Sequence, residues 1–232
     1  MGAPFLFAGA VMSAGSAYSP PPDSGLDLVH VDASLIVVNK PSGLLSVPGR
    51  GVGKEDCLVS RVQAVYPEAL IVHRLDMETS GLMVLARNPA VHRQLSMAFQ
   101  NRRVEKRYLA VVAGRLEESS GEIDLPLITD WPNRPLQKVD HQIGKPSLTR
   151  YRMLAYDLDS DRSRVALAPE TGRSHQLRVH LMSIGHPILG DVLYAPPSMQ
   201  ALSPRLLLHA EALAFEHPAN GTRMALLSPA PF

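Results

Sequence analysis

Two carboxylates and an arginine crowd one short stretch of the chain: Arg74, Asp76 and Glu78, within the segment His73–Arg87. Ile71 and Val72 lead in as an apolar run. Thr79, Ser80 and Gly81 make a turn-prone patch, and Leu82 to Ala86 is an unbroken apolar run of strand length. The pattern predicts strand, loop, strand, with the charges on a loop that two core strands hold. Such a loop is exposed yet rigidly carried, which suits a catalytic site. An aspartate that attacks or stabilises an anomeric carbon, with a second carboxylate as acid or base, is glycosidase equipment. The same residues also suit a charged turn with no chemistry at all.

Other chemistries find no support in the sequence. His175 and His180 stand five apart, and no His-Glu-x-x-His helix occurs. His209-Ala210-Glu211 resembles the start of a nucleobase-deaminase motif, but that zinc site needs two more cysteines and Cys57 is alone and far upstream. Phosphate-loop and dinucleotide glycine patterns are absent, as is a serine-hydrolase elbow. No metal site and no cofactor are expected. The single cysteine excludes an internal disulfide and fits a reducing, cytoplasmic setting. With 45% hydrophobic and 19% charged residues the composition is that of a folded globule. No apolar stretch approaches the ~18 residues that span a bilayer, and Phe5–Met12, though mildly apolar, lacks the positively charged start of a secretion signal.

The elements that must position Asp76 follow from periodicity. Leu35 to Asn39 reads as a strand, and Leu44, Leu45 and Val47 as a second around turns at Lys40-Pro41-Ser42-Gly43 and Pro48-Gly49, a hairpin-like unit. Leu58, Val59, Val62, Val65 and Tyr66 recur at helical spacing up to Pro67. Asn88-Pro89 starts a second helix with the stripe Val91, Leu95, Ala98, Phe99. Strands are expected at Val104–Val112, Thr149–Tyr156, Arg164–Leu167, Leu206–Ala210 and, as an edge, Met224–Leu227. A third helix carries Leu177, Leu181 and Ile184, with Ser174 as a cap and Gly185 closing it. Arg178 lies near its first turn, where backbone donors and the dipole favour an anion. The pattern predicts an α+β fold with a mixed, mainly antiparallel sheet, flanking helices and a central cleft at Asp76. Residues 1–25, rich in Gly, Ala, Ser and Pro, read as a flexible tail, and 26–232 as a single domain.

The net charge of +1 conceals clustering: Arg87 to Arg115 holds seven basic residues against Glu105 alone. Arg102, Arg103, Lys106 and Arg107 are its densest part. Such a stretch is either a polyanion-binding face or an ordinary solvated surface. A turn lysine such as Lys40 either touches phosphate or is merely solvated. Tyr108, opening a strand, reads as a core or rim residue. Trp131, the only tryptophan, reads as a packing residue, with stacking on a nucleobase as the alternative.

His73-Arg74-Leu75-Asp76-x-x-Thr79-Ser80-Gly81-Leu82-x-Val84 resembles the signature of the RluA-type pseudouridine synthases. Further blocks resemble the same family: Asn39–Leu44, Lys106–Ala110, Thr171–His180 with its continuation to Asp191, and Leu206–Ala210. Asp130-Trp131-Pro132-Asn133-Arg134-Pro135 is similar to the subgroup acting on both tRNA and 23S ribosomal RNA. The resemblance implies the pseudouridine-synthase fold and an enzyme that isomerises uridine to pseudouridine in RNA without metal or cofactor. It implies Asp76 as the essential carboxylate, nucleophile or base, Tyr108 stacked on the target base, and Arg178 paired with Asp76. Leu75 and Leu177 would form apolar walls. Arg74 would fill the space that the flipped base leaves, and Lys40, Arg102, Arg103, Lys106, Arg107 and Arg173 would hold the RNA backbone. Expected partners are a tRNA anticodon stem-loop and a 23S rRNA hairpin, met by a cytoplasmic monomer. No sequence is left for the separate RNA-binding module that precedes the catalytic domain in many relatives. A protein that only binds RNA is the alternative.

Overall fold

The computed structural model describes residues 18–232. Most of the expected tail, with the run Phe5–Met12, lies outside them. Residues 18–25 run along the domain: the Tyr18 hydroxyl donates to Asp56 O and accepts from Leu45 N, and Arg61 donates to Pro21 O.

The chain forms β1 (Leu28–Val31), β2 (Leu35–Lys40), α1 (Leu58–Val65), β3 (Leu70–Ile71), β4 (Ser80–Ala86), α2 (Pro89–Gln100) and β5 (Glu105–Ala113). Then come β6 (Ser120–Asp124), β7 (Leu127–Thr129), β8 (Gln137–Val139), β9 (Leu148–Asp157), β10 (Arg162–Pro169), α3 (Gln176–Ser183), α4 (Pro197–Gln200), β11 (Leu208–Glu216) and β12 (Arg223–Leu227). One sheet runs β1-β2-β4-β11-β5-β10-β9-β6, with β3 also on β4 and β12 on β11; β7 and β8 form a separate hairpin. All pairs in the large sheet are antiparallel except β4 with β11. The expected mixed, mainly antiparallel α+β architecture is what the chain adopts.

Strand β4 is buried along its whole length, which is why its sequence is an unbroken apolar run rather than an alternating one. Met83 and Leu85 pack against Leu58 and Val62 of α1. Leu82, Val84 and Ala86 face the other way, onto Val91 and Leu95 of α2 and Leu213 and Phe215 of β11. The Asn88 side chain accepts from Val91 N at 2.9 Å, a cap worth about 1 kcal/mol. Helix α3 covers Ala110, Val112, Val165 and Leu167 through Leu177 and Leu181.

Several expectations need correction. Leu44–Val47 is not a strand; its residues feed the core beneath α1 instead. Ser174 does not cap α3: the position before the helix is His175, in the left-handed region (φ 55°). Trp131 is not packed; it is 65% exposed on a 3-10 turn, with the Arg134 guanidinium 4.6 Å from its ring centre. Strands β1, β6, β7 and β8 are not among the expected strands.

The parallel junction of β4 with β11 is short, pairing only Ser80 with His209 and Gly81 with Ala210. Gly81 has φ +116°, and a Cβ there would lie 2.3 Å from Ala210 O. Gly51 also has positive φ (+95°), but nothing lies within 4 Å of its would-be Cβ. Gly81→Ala is therefore expected to cost at least ~2 kcal/mol, or a Tm lower by roughly 4–8 °C or more. Gly51→Ala should cost clearly less. Thermal melts of both variants check this, and equal shifts would remove the close-approach explanation.

Candidate active site

The loop between β3 and β4 brings Asp76 to a cleft of about 950 Å³. Both neighbours of Asp76 are fixed by backbone hydrogen bonds. Ser46 Oγ donates to Leu75 O at 2.7 Å and accepts from Leu75 N at 3.1 Å, so one buried hydroxyl serves both polar groups of that residue. Met77 O accepts from Lys40 Nζ and Gly43 N, each at 2.9 Å. Thr79 N closes a turn onto Asp76 O. The carboxylate itself stays 27% exposed.

Lys40 corrects the expectation of a phosphate contact. It is fully buried, and its three N–H bonds go to Pro41 O, Leu44 O and Met77 O at 2.8, 2.7 and 2.9 Å. No donor remains for RNA. Burial lowers its pKa to about 7, against the opposing pull of Glu78 and Asp76.

Arg178 faces Asp76 across the cleft. Its Nε and Nη2 bind Asp191 Oδ2 and Oδ1 at 2.8 and 2.6 Å, a buried bidentate pair. Asp191 Oδ1 also accepts from Leu193 N and Tyr194 N. That leaves Nη1, which lies 3.6 Å from Asp76 Oδ2. Burial works against the Arg178 charge, yet the bonds and charge of Asp191, with the charge of Asp76, raise its pKa above the ordinary arginine value. On the other side, His175 Nε2 lies 4.0 Å from Asp76 Oδ1. Tyr194 Oη accepts from Gln137 N and lies 2.6 Å from His175 Nδ1, which ties that ring nitrogen to the tyrosine. With Nδ1 engaged by Tyr194, Nε2 is the ring nitrogen that faces Asp76. Burial lowers the His175 pKa and raises that of Tyr194 to about 12.

Tyr108 lines the same cleft from β5, bordering the cores under both α1 and α3. Burial, and then the Asp76 charge, push its phenol above the ordinary tyrosine range, so it is a neutral hydroxyl and a flat ring. Leu75 and Leu177 line an adjoining recess of about 100 Å³ with Asp76, Tyr108 and Arg178.

Of the expected RNA contacts, Arg74, Arg102, Lys106 and Arg173 line the cleft, and so does Lys54. Two do not. On β5 successive side chains alternate faces, so Lys106 and Tyr108 reach the cleft while Arg107 turns away and pairs with Glu211 at 2.9 Å. Arg103 lines a separate depression beside Glu216 and His217. The basic stretch is thus spread over the surface: Arg87 pairs with Glu68 and Arg115 stacks on Tyr156. Glu78 sits on the cleft rim, its carbonyl bonded by Ser42 Oγ. His73 is a support: its Nε2 accepts from Val84 N, its ring stacks on Phe99 at 4.4 Å, and burial lowers its pKa to about 3.

Sequence reasoning missed Ser46, His175, Tyr194 and Asp191 as members of this site. Asp191 is thirteen residues from Arg178, with no local period to join them. The one available signal was that His175 and Asp191 fall in the same family-like block as Arg178.

Lys40 yields a pH prediction. A lysine whose folded pKa is lowered holds fewer protons folded than unfolded between the two values, so stability rises with pH across that window. Here the window runs from about 7 to 10.5. The stability of the wild type relative to Lys40→Met should therefore grow from pH 7 to 10 in denaturant melts. A difference that stays flat would contradict the buried, charge-disfavouring environment.

Comparison with known proteins identifies the family. Residues 34–183 match the family model described as RNA pseudouridylate synthase. The Dual-specificity RNA pseudouridine synthase RluA of Escherichia coli (strain K12) is 51% identical over 215 residues, covering 93% of this chain and 98% of that protein. The protein of that name from Pasteurella multocida (strain Pm70) shows the same identity and coverage. Among solved structures, Human RNA Pseudouridylate Synthase Domain Containing 1 superposes with a TM-score of 0.74 at 31% identity, over 95% of this chain and 87% of that one. The chain thus belongs to the RNA pseudouridylate synthase family, and it is an RNA pseudouridine synthase of α+β architecture.

Proposed function

We propose that the protein converts specific uridines in a tRNA anticodon stem-loop and in a 23S rRNA hairpin to pseudouridine, with Asp76 as the essential residue. The observation that carries this reading is Asp76 on a clamped loop, between Arg178 Nη1 at 3.6 Å and His175 Nε2 at 4.0 Å, in a cleft shared with Tyr108. The relatives named dual-specificity RNA pseudouridine synthase support action on two kinds of RNA substrate.

The reaction breaks the bond from C1′ to N1 of uracil, turns the base, and joins C1′ to C5. N1 gains a proton and C5 loses one, so the product is an isomer and no metal or cofactor enters. Asp76 acts either as nucleophile at the sugar or base or as base toward the ribose. Both roles need a carboxylate held in one orientation, which is what Arg178 and the loop clamps supply. Tyr108 provides the face on which the flipped base stacks, with Leu75 and Leu177 as walls. Flipping costs a few kcal/mol, less in a loop than in a duplex. Arg74, exposed at the cleft mouth, fills the vacated stack.

Arg102, Lys106, Arg173 and Lys54 form the electrostatic approach for the RNA backbone. The exposed Trp131–Arg134 pair offers a second stacking surface, on the hairpin whose Pro135 borders the cleft. We place residues 26–232 in one catalytic domain, working as a monomer in the cytoplasm.

The test is a single-turnover pseudouridine assay on the two stem-loops. Asp76→Asn is expected to give no product with RNA affinity within about tenfold of wild type. Arg74→Ala should slow a stable stem-loop more than a short unstructured RNA containing the same uridine. Turnover by Asp76→Asn would remove the essential role, and equal slowing of both RNAs would remove the wedge.

A further inference from the structure

The ten-stranded sheet consists of two blocks. β1, β2, β3 and β4 form one; β5, β6, β9, β10, β11 and β12 form the other. Between them runs only the parallel pairing of β4 with β11, two residue pairs long, against six for β2 with β4 and six for β11 with β5. The proposed reacting groups straddle this seam. Asp76 hangs from the first block, four residues before Ser80. Tyr108 is on β5, and Arg178 and Asp191 pack on the second block. The 3.6 Å between Asp76 and Arg178 is therefore set by the register of one block against the other.

Beside the apolar packing of Leu82 and Val84 on Leu213 and Phe215, a buried side-chain network crosses the seam. Ser80 Oγ lies 2.8 Å from His209 Nδ1, and His209 Nε2 lies 2.9 Å from Ser228 O. A carbonyl only accepts, so Nε2 carries the proton and Nδ1 accepts from the Ser80 hydroxyl. Arg205 Nη2 donates to the same Oγ. Ser80 and His209 are 4% and 1% exposed. They are also one of the two residue pairs of the seam. Neither lines the catalytic cleft or its recess; both border a separate cavity of about 340 Å³ on the far side of the loop. The turn from Asp76 O to Thr79 N links the seam rigidly to the carboxylate.

We infer that Ser80 and His209 are positioning residues, which hold Asp76 at its working distance from Arg178 by locking the two half-sheets together. The inference rests on the reading of Asp76 and Arg178 as the reacting pair. Neither residue touches substrate. Their effect belongs to the chemical step and not to RNA binding.

Side-chain geometry offers a selective test. Asparagine at 209 puts an oxygen where Nδ1 is and keeps the bond to Ser80. Glutamine puts its amide where Nε2 is, keeps the bond to Ser228 O, and loses the seam contact. Single-turnover rates, RNA affinity and Tm would be measured for Ser80→Ala, His209→Gln and His209→Asn beside Asp76→Asn, at a temperature where each variant is folded by circular dichroism. A misplacement of this kind costs roughly 10- to 100-fold in rate. Ser80→Ala and His209→Gln should show that loss with RNA affinity within about twofold. His209→Asn should retain a rate within about threefold of wild type whatever its Tm. Should His209→Gln fail to fold, Ser80→Ala carries the test, because Arg205 and His209 can take water from the cavity they border. Rates within about twofold of wild type for Ser80→Ala and His209→Gln would overturn the inference. So would losses that follow Tm and spare neither variant at 209. Activity in Asp76→Asn would instead defeat the underlying reading of the reacting pair.

Discussion

The guanidinium of Arg178 is 3% exposed, and a buried charge of that kind persists only with partners that satisfy it. Asp191 takes two of its nitrogens in a bidentate pair, and two backbone N–H groups fix Asp191 in turn. The remaining nitrogen has one carboxylate within reach, that of Asp76. The orientation of the loop aspartate is thus tied to an ion pair that the fold itself must keep. Leaving either member of that pair uncompensated would cost about 3–5 kcal/mol, so the geometry of the site and the stability of the fold are coupled through one residue.

The loop answers this constraint from its own side. Ser46 serves both backbone groups of Leu75, and Lys40 spends all three of its protons on carbonyls around the turn. The carboxylate alone is left without a close hydrogen bond: its contacts to Arg178 and His175 are 3.6 and 4.0 Å. Contacts of that length suit a site that tightens around substrate. The rigid parts are backbone, and the free part is the carboxylate that opens to the cleft.

Much of this was legible in the sequence. The apolar run Leu82–Ala86 announced the central strand because a strand buried on both faces has no reason to alternate. Asn88-Pro89 announced the start of α2 because a cap and a proline each have one favourable place. The family-like blocks named Asp76, Tyr108 and Arg178, which the fold gathers into one cleft. What was not legible came from partners far apart in sequence. A lysine in a turn reads as solvated, and only the packed loop shows Lys40 enclosed by three carbonyls. Arg103 and Arg107 read as one basic patch with Lys106, yet strand alternation and the Glu211 partner send Arg107 elsewhere. Trp131 reads as core by composition, while a short proline-rich turn holds it in solvent. Asp191 carries no signal of its own until α3 and the following loop fold it back on Arg178.

The central claim is that Asp191, Arg178 and Asp76 act as one unit. The most direct measurement is a double-mutant cycle on the single-turnover rate of pseudouridine formation, using Asp191→Asn, Arg178→Lys and the two combined. Each single change is expected to slow the chemical step by roughly 10- to 100-fold, and the double variant to be little worse than the slower single one. Losses that multiply, each change acting as if the other were absent, would contradict the account.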